Sequence, residues 1–479
     1  MSSTRNMDHD SKTKTAASTW RYAALIGAGG IAAALIFYFK PAKEAQAIAP
    51  VVVTRATEQA ISADAFVDTI GVNTHIGWKN TPYVNHPSLK TALVGLGVRH
   101  IRDSVTGIAD DPAQTSFVQD LAKSGIHMQG LFDGNWYPAP VGSTPLSQTD
   151  IVSKVARLMP AIEIAEGPNE TDLSKLFKYN GHGGFPQGSV HYDQDLYKAL
   201  KSSPKTSHLP VLLGSVGNSS KFPQIAAITP GPVNYADYGN IHSYPGGKLA
   251  DQGIDWCLKY ANNVTAKKPM ICGETGYHNN TTFIGPQIQP GVSEAAAGKY
   301  MPEVFFEMVN HGLKRSIAYE LVDQHPDPDL KDGNGESHFG LLHNDWSPKP
   351  AYTALKNTIA LLSEPGAKFK PSSLTYTLTA PGTVHHTLLQ KSNGDFYLVL
   401  WNNVSCYNNA TSSSPGSDVT NDPVPATVEF SSAKSVTVFS PSDVSGTNPV
   451  TTYTTKTTPA SITLGIPDRV VILKIADSK

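Results

Sequence analysis

The sequence predicts a (β/α)₈ barrel followed by a β-sandwich, on three observations. Between residues 59 and 362, short apolar strands alternate with helical stretches, the order that builds parallel strands joined by crossover helices. Beyond Pro365 the helical stretches stop, and short strands rich in Thr, Val and Ser succeed one another with turn residues between them. Ahead of both, residues 22–39 (YAALIGAGGIAAALIFYF) form an uncharged apolar run near the minimum length for a bilayer-spanning helix.

That run is bracketed by Arg21 and Lys40, and Arg5, Lys12, Lys14 and Arg21 precede it. The positive-inside rule then makes residues 1–21 a cytoplasmic tail and exports everything after residue 39. Ala45-Gln46-Ala47 supplies a small-x-small site, so two outcomes stand: an uncleaved membrane anchor, or a secreted protein cleaved near Ala47. Residues 40–58 read as the linker to the barrel.

Eight barrel strands are expected: Thr69–Asn73, Val98–Arg102, His127–Phe132, Ile162–Glu166, Val211–Gly214, Tyr238–His242, Met270–Gly273 and Ser316–Leu321. Between them lie amphipathic stretches such as SLKTALVGLG, TSFVQDLAKSG and YMPEVFFEMVNHG, each ending in the Gly that a helix C-terminus favours. Eight such units suit a closed barrel better than an open doubly wound sheet. Residues 366–479 contain SLTYTLTA, FYLVLWNN, TVEFSS, KSVTVFSP and DRVVILKI, the pattern of a sandwich.

Composition removes several functions. A net charge of −2 over 479 residues, with no dense Lys/Arg block beyond the leading segment, argues against a nucleic-acid partner. No G-x-G-x-x-G follows the first strand, no H-E-x-x-H occurs and no G-x-S-x-G elbow is present. Neither a cofactor nor a metal is expected, because Asp323, His325, Asp327 and Asp329 form a carboxylate-rich loop without ligand spacing. The three cysteines show no C-x-x-C spacing; Cys257 and Cys272 are either a pair or two buried thiols. Six Trp and nineteen Tyr suit a protein that stacks aromatic rings on the apolar faces of sugars.

In a (β/α)₈ barrel the site is assembled from the C-terminal ends of the strands. The fourth strand runs into Glu166-Gly167-Pro168-Asn169-Glu170 and the seventh into Gly273-Glu274-Thr275-Gly276, each placing a carboxylate just past an apolar strand. A strand-end Glu taken alone is more often a structural ion-pair partner than a catalyst. Two facing carboxyls across one crevice are nevertheless what glycosidic bond hydrolysis needs, one to protonate the leaving oxygen and one to attack or activate water.

Asn169-Glu170 after strand four and Glu274 after strand seven resemble the paired signatures of glycoside hydrolase clan A, whose members are (β/α)₈ retaining glycosidases. Within the clan the chain is most similar to family 39 and family 5 type enzymes. The resemblance implies Glu170 as acid/base and Glu274 as nucleophile in cleavage of β-glycosidic bonds of an oligosaccharide or exopolysaccharide. It also implies that Asn169 holds the sugar 2-hydroxyl and that His242 or Tyr244 partners the nucleophile. Arg102, after strand two, is expected to reach the nucleophile and keep it ionised. Asn73, His75 and Trp78 after strand one, and Trp136 after strand three, are candidate sugar contacts. Where the clan carries a floor Trp at the end of strand eight, this chain reads Ala318-Tyr319-Glu320-Leu321, so Tyr319 or a loop Trp such as Trp346 must serve, and Glu320 is an extra carboxylate. The alternative from another class is a non-catalytic carbohydrate-binding protein on the same barrel.

Overall fold

The computed structural model describes residues 51–478 apart from 133–146, 176, 230, 283–288, 328–329, 331–334, 412–413, 444–445 and 455–459. The apolar run 22–39, its charged flank, the small-x-small site and Trp136 lie outside the described residues. Among the described residues no helix is long and apolar enough to cross a membrane.

Eight parallel strands form the barrel: β1 (Ile70–Asn73), β2 (His100–Ser104), β3 (His127–Leu131), β4 (Ile162–Glu166), β5 (Val211–Leu212), β6 (Gly239–His242), β7 (Met270–Thr275) and β8 (Arg315–Ala318). Their order is β5-β4-β3-β2-β1-β8-β7-β6. The Leu213 N–H donates to Tyr238 O and the Tyr238 N–H to Val211 O, both at 3.1 Å, which closes the ring between β5 and β6. Parallel register places Asn73 beside Arg102 and Arg102 beside Gln129. These three side chains therefore point the same way, into the barrel at its C-terminal end.

The expected helix ends hold for simple reasons. Helix His86–Leu96 starts where Asn85 accepts a hydrogen bond from the Ser88 N–H, and it ends at Gly97, whose φ of 85° is open to glycine at no steric cost. Gly125 and Gly312 follow their helices with φ of 77° and 83°. Strand β8 is shorter than expected, ending at Ala318. Beyond it the chain leaves the barrel ladder and the Glu320 N–H bonds to Phe339 O at 3.1 Å.

The C-terminal domain is a two-sheet sandwich. A four-stranded sheet and a six-stranded sheet share one core, in which Leu374, Tyr376 and Leu378 of the first meet Leu398, Leu400 and Leu473 of the second. The linker expectation is corrected here: residues 51–59 form a strand antiparallel to Ser373–Pro381, in register from Val51 opposite Pro381 to Gln59 opposite Ser373. Ile61–Ser62 also joins the six-stranded sheet, so the sandwich is not confined to residues 366–479. VVVTRATEQ has strand propensity, but its partner lies some 300 residues away and no hairpin signal marks the pairing.

The six-stranded sheet is buried on both faces along its central strand. Strand Phe396–Asn402 sends Leu398 and Leu400 into the sandwich core and Tyr397, Val399 and Trp401 into the barrel core, which is why its sequence is apolar throughout. Trp401 is fully buried, its ring centroid 5.9 Å from that of Phe306 on helix Glu294–Asn310. All three cysteines are free and buried, so Cys257 and Cys272 are thiols.

Candidate active site

The barrel interior is organised by one cation. Arg102 donates through Nε and Nη2 to the two oxygens of Glu166, at 2.7 and 2.8 Å. Its Nη1 reaches Glu274 Oε1 at 2.7 Å and Asn73 Oδ1 at 3.0 Å, and its Nη2 also reaches Asn169 Oδ1 at 2.8 Å. Burial works against charge on Arg102, but Glu166 and Glu274 outweigh it and push its pKa up. A planar fork suits this task, since one guanidinium can grip two carboxylates in fixed geometry.

Glu166 is fully buried and also accepts from Gln129 Nε2 at 2.8 Å and Asn240 Nδ2 at 2.9 Å. Gln129, Asn240 and Ser215 were not singled out from the sequence. For Gln129 and Asn240 the signal was present: a polar residue in the middle of an apolar strand, as in HMQGL and GNIH, faces either a polar interior or nothing.

Glu274, at the end of β7, is held by Arg102 on one oxygen and on the other by the Tyr244 hydroxyl at 2.7 Å. Burial alone would raise its pKa. His242 and Arg102, with the Tyr244 hydrogen bond, reverse that and hold the carboxyl below the usual range. The expected Arg102 and Tyr244 contacts are thus both present.

Glu170 stands opposite. Its backbone φ of 41° lies in the left-handed region, costly for a residue with a Cβ, and its N–H donates to Ser215 Oγ at 3.1 Å. Ser215 also donates to Asn169 Oδ1 at 3.0 Å, so one hydroxyl fixes both residues of the Asn169-Glu170 pair. His242, expected beside Glu274, lies chiefly on Glu170: its Nδ1 is 2.7 Å from Glu170 Oε1 and 3.4 Å from Glu274 Oε2. Burial opposes charge on His242, but the Glu274 and Glu170 carboxylates prevail and raise its pKa. One oxygen of each glutamate and a ring nitrogen of His242 all lie within 4.8 Å of one another. This is the one trio among the described residues with the spacing of metal ligands, and the same atoms form the carboxyl pair.

The remaining wall is aromatic. His75 stacks on Trp78, ring centroids 3.9 Å apart, and meets Tyr319 edge-on at 5.6 Å. Tyr319 lies in turn against Phe339 at 5.4 Å and Tyr244 at 6.5 Å. Glu320 is fully buried, accepting from Tyr83 Oη and Gln324 Nε2 at 2.8 Å each, with His75 Nε2 at 3.2 Å. Its carboxylate therefore anchors the wall, and Trp78, His75 and Tyr319 present the surface. Trp346 is not part of this wall; it lines a groove beside helix His86–Leu96.

The expected likeness to family 39 glycosidases holds at the level of the fold. The chain is similar to a glucosidase from Croceicoccus marinus (TM-score 0.57, 10% identity, 91% of this chain and 100% of that one). It is similar to a monomeric beta-xylosidase from Caulobacter crescentus (0.57, 12% identity, 88% and 98%). A family 39 glycoside hydrolase from Bacteroides cellulosilyticus also matches (0.52, 15% identity, 87% and 82%). No family model matches the sequence, and no curated protein sequence matches it either.

Proposed function

We propose that this chain is a retaining glycoside hydrolase cleaving β-glycosidic bonds of an oligosaccharide or exopolysaccharide, with Glu170 as acid/base and Glu274 as nucleophile. The observation that carries the reading is that one carboxyl oxygen of Glu170 and one of Glu274 lie within 4.8 Å of each other at the C-terminal mouth of the barrel. Retaining sites hold their carboxyls about 5–5.5 Å apart, whereas inverting sites open to about 6.5–9.5 Å to admit a water. The fold shared with the glucosidase, the beta-xylosidase and the family 39 enzyme supports the same class. Two carboxyls turned toward each other weigh against a barrel that only binds sugar.

In the first step Glu170 protonates the glycosidic oxygen while Glu274 attacks the anomeric carbon, giving a glycosyl ester and the free leaving group. In the second, Glu170 takes a proton from water, whose oxygen displaces Glu274 and restores the starting configuration. Arg102 and Tyr244 keep the nucleophile anionic and aimed. Asn169, its carbonyl oxygen fixed by Arg102 and Ser215, is the residue for the sugar 2-hydroxyl.

The two glutamates fail differently when removed. Glu274→Ala loses activity on every substrate, and azide restores turnover with inverted product. Glu170→Ala keeps the first step on activated aryl glycosides while natural linkages stop, and azide gives product of retained configuration. Full activity of both variants on natural and activated substrates alike would remove the assignment. We also propose that residues 22–39 hold the enzyme at a membrane with the barrel outside, unless cleavage near Ala47 releases it. Fractionation tests this: uncleaved protein extracted by carbonate has no spanning helix.

A further inference from the structure

We propose that the turn after β5, residues 214–218, aims the Glu170 carboxyl, with Ser215 and Gly217 as positioning residues for proton transfer to the leaving group; this rests on the hydrolase reading. Glu170 needs outside support. Its φ of 41° is a conformation that a residue with a Cβ adopts at a cost, so it persists only where the surroundings fix it. The turn that does so reads Gly214-Ser215-Val216-Gly217-Asn218.

This turn is tied to the loop after β4 on both sides of Glu170. Ahead of it, the Ser215 N–H donates to Pro168 O at 3.1 Å. Behind it, Asp172 accepts from the Gly217 N–H at 2.9 Å and from the Asn218 N–H at 3.0 Å. Between these ties the Glu170 N–H donates to Ser215 Oγ at 3.1 Å. Ser215 is buried and gives its own proton to Asn169 Oδ1, which leaves its oxygen turned to receive the Glu170 N–H. Asn169 has a second donor in Arg102, so loss of the Ser215 hydroxyl falls mainly on Glu170.

The two glycines let the segments come this close. A Cβ on Gly214 would lie 2.8 Å from Pro168 Cδ and 2.9 Å from Pro168 O. A Cβ on Gly217 would lie 3.2 Å from the carboxyl carbon of Glu170, and closer still to Leu173 Cδ1. The carboxyl therefore rests against bare backbone at Gly217, while His242 Nδ1 holds its Oε1 at 2.7 Å. A general acid must meet the glycosidic oxygen as its bond breaks, and a misplacement of about 1 Å can cost on the order of 10²-fold in rate. Gly217 lies outside the left-handed region and Leu173 is exposed, so alanine at 217 is accommodated by the backbone and presses on Glu170.

The test uses aryl β-glucosides and β-xylosides with leaving groups from dinitrophenol to phenol, since only the poorer ones need a proton. In full-length protein, Ser215→Ala should lower kcat/KM roughly tenfold more on the phenyl than on the dinitrophenyl glycoside, because the acid is misaimed. Gly217→Ala should steepen the dependence on leaving group in the same sense without touching the Ser215 hydroxyl. A crystal structure of Ser215→Ala should show Glu170 relaxed out of its left-handed φ and its carboxyl displaced relative to Glu274. A loss equal on both leaving groups in both variants, or a Glu170 that keeps its native φ and position in Ser215→Ala, would overturn the assignment. Inactivity of the native protein on every aryl glycoside would instead strike the hydrolase reading, and the crystal structure would still decide whether Ser215 holds Glu170.

Discussion

Tyr244 is the sharpest single-residue probe of how Glu274 is kept ionised. Three residues oppose its burial, and the Tyr244 hydrogen bond is the one that can be removed without disturbing Arg102 or the contact between His242 and Glu170. Tyr244→Phe should move the acid limb of kcat/KM to higher pH, because in the proposed mechanism Glu274 must lose its proton to react and now does so less readily. The measurement is a pH–rate profile on an aryl glycoside; an unmoved acid limb would mean that the hydroxyl does not tune the nucleophile. Arg102 shows what sequence reading could reach at this scale. As strand-two cation it is equally a site residue or a structural ion-pair partner, and in the structure it is both, gripping Glu166 and Glu274 with one fork. Pairing across the barrel depends on which strands face each other, and no local pattern encodes that.

Among the elements, the loop after β4 rests on a buried carboxyl from helix Gln187–Lys201. Asp193 accepts from the Gly214 N–H at 3.1 Å and abuts Gly167, where a Cβ would collide with its carboxyl. Burial raises its pKa to about 8. An acid with a raised folded pKa contributes most below its unfolded value, near 4, and that contribution drains away as pH climbs toward 8. Asp193→Asn keeps an acceptor and removes the titration. The variant should match the native protein in unfolding free energy near pH 4 and exceed it at pH 9 by an amount on the order of a few kcal/mol; equal stability at both pH values, read by chemical denaturation, would refute the shift. At this scale the strands and the glycine helix ends were legible, since period and caps are local. The extent of β5 and β8 was not, because both are cut short by tertiary hydrogen bonding at their ends.

For the whole molecule, barrel and sandwich are halves of one packing problem. The six-stranded sheet has no solvent face where it meets helix Glu294–Asn310, and Trp401 fills that seam. Trp401→Ala should cost about 3–5 kcal/mol, the usual loss for a buried aromatic, and chemical denaturation should show barrel and sandwich melting together. Two separate transitions in the native protein would mean that the halves fold independently. Alternation in the C-terminal third made the sandwich readable, but the continuous apolar run FYLVLWNN was the only trace of the seam.

Strand Val51–Gln59 has its edge paired with Ser373–Pro381, and Thr57 and Thr375, 318 residues apart, share a hydrogen bond. A ribosome or an export channel delivers the first of these long before the second. Through the whole synthesis of the barrel, a strand with unsatisfied backbone groups waits without its partner, and such edges invite pairing with other chains. Closing so long a loop is also slow compared with forming local contacts. The interval between two segments of one sheet is therefore a window for misassembly, and a chaperone that shields residues 51–59 during it should raise the yield of folded protein.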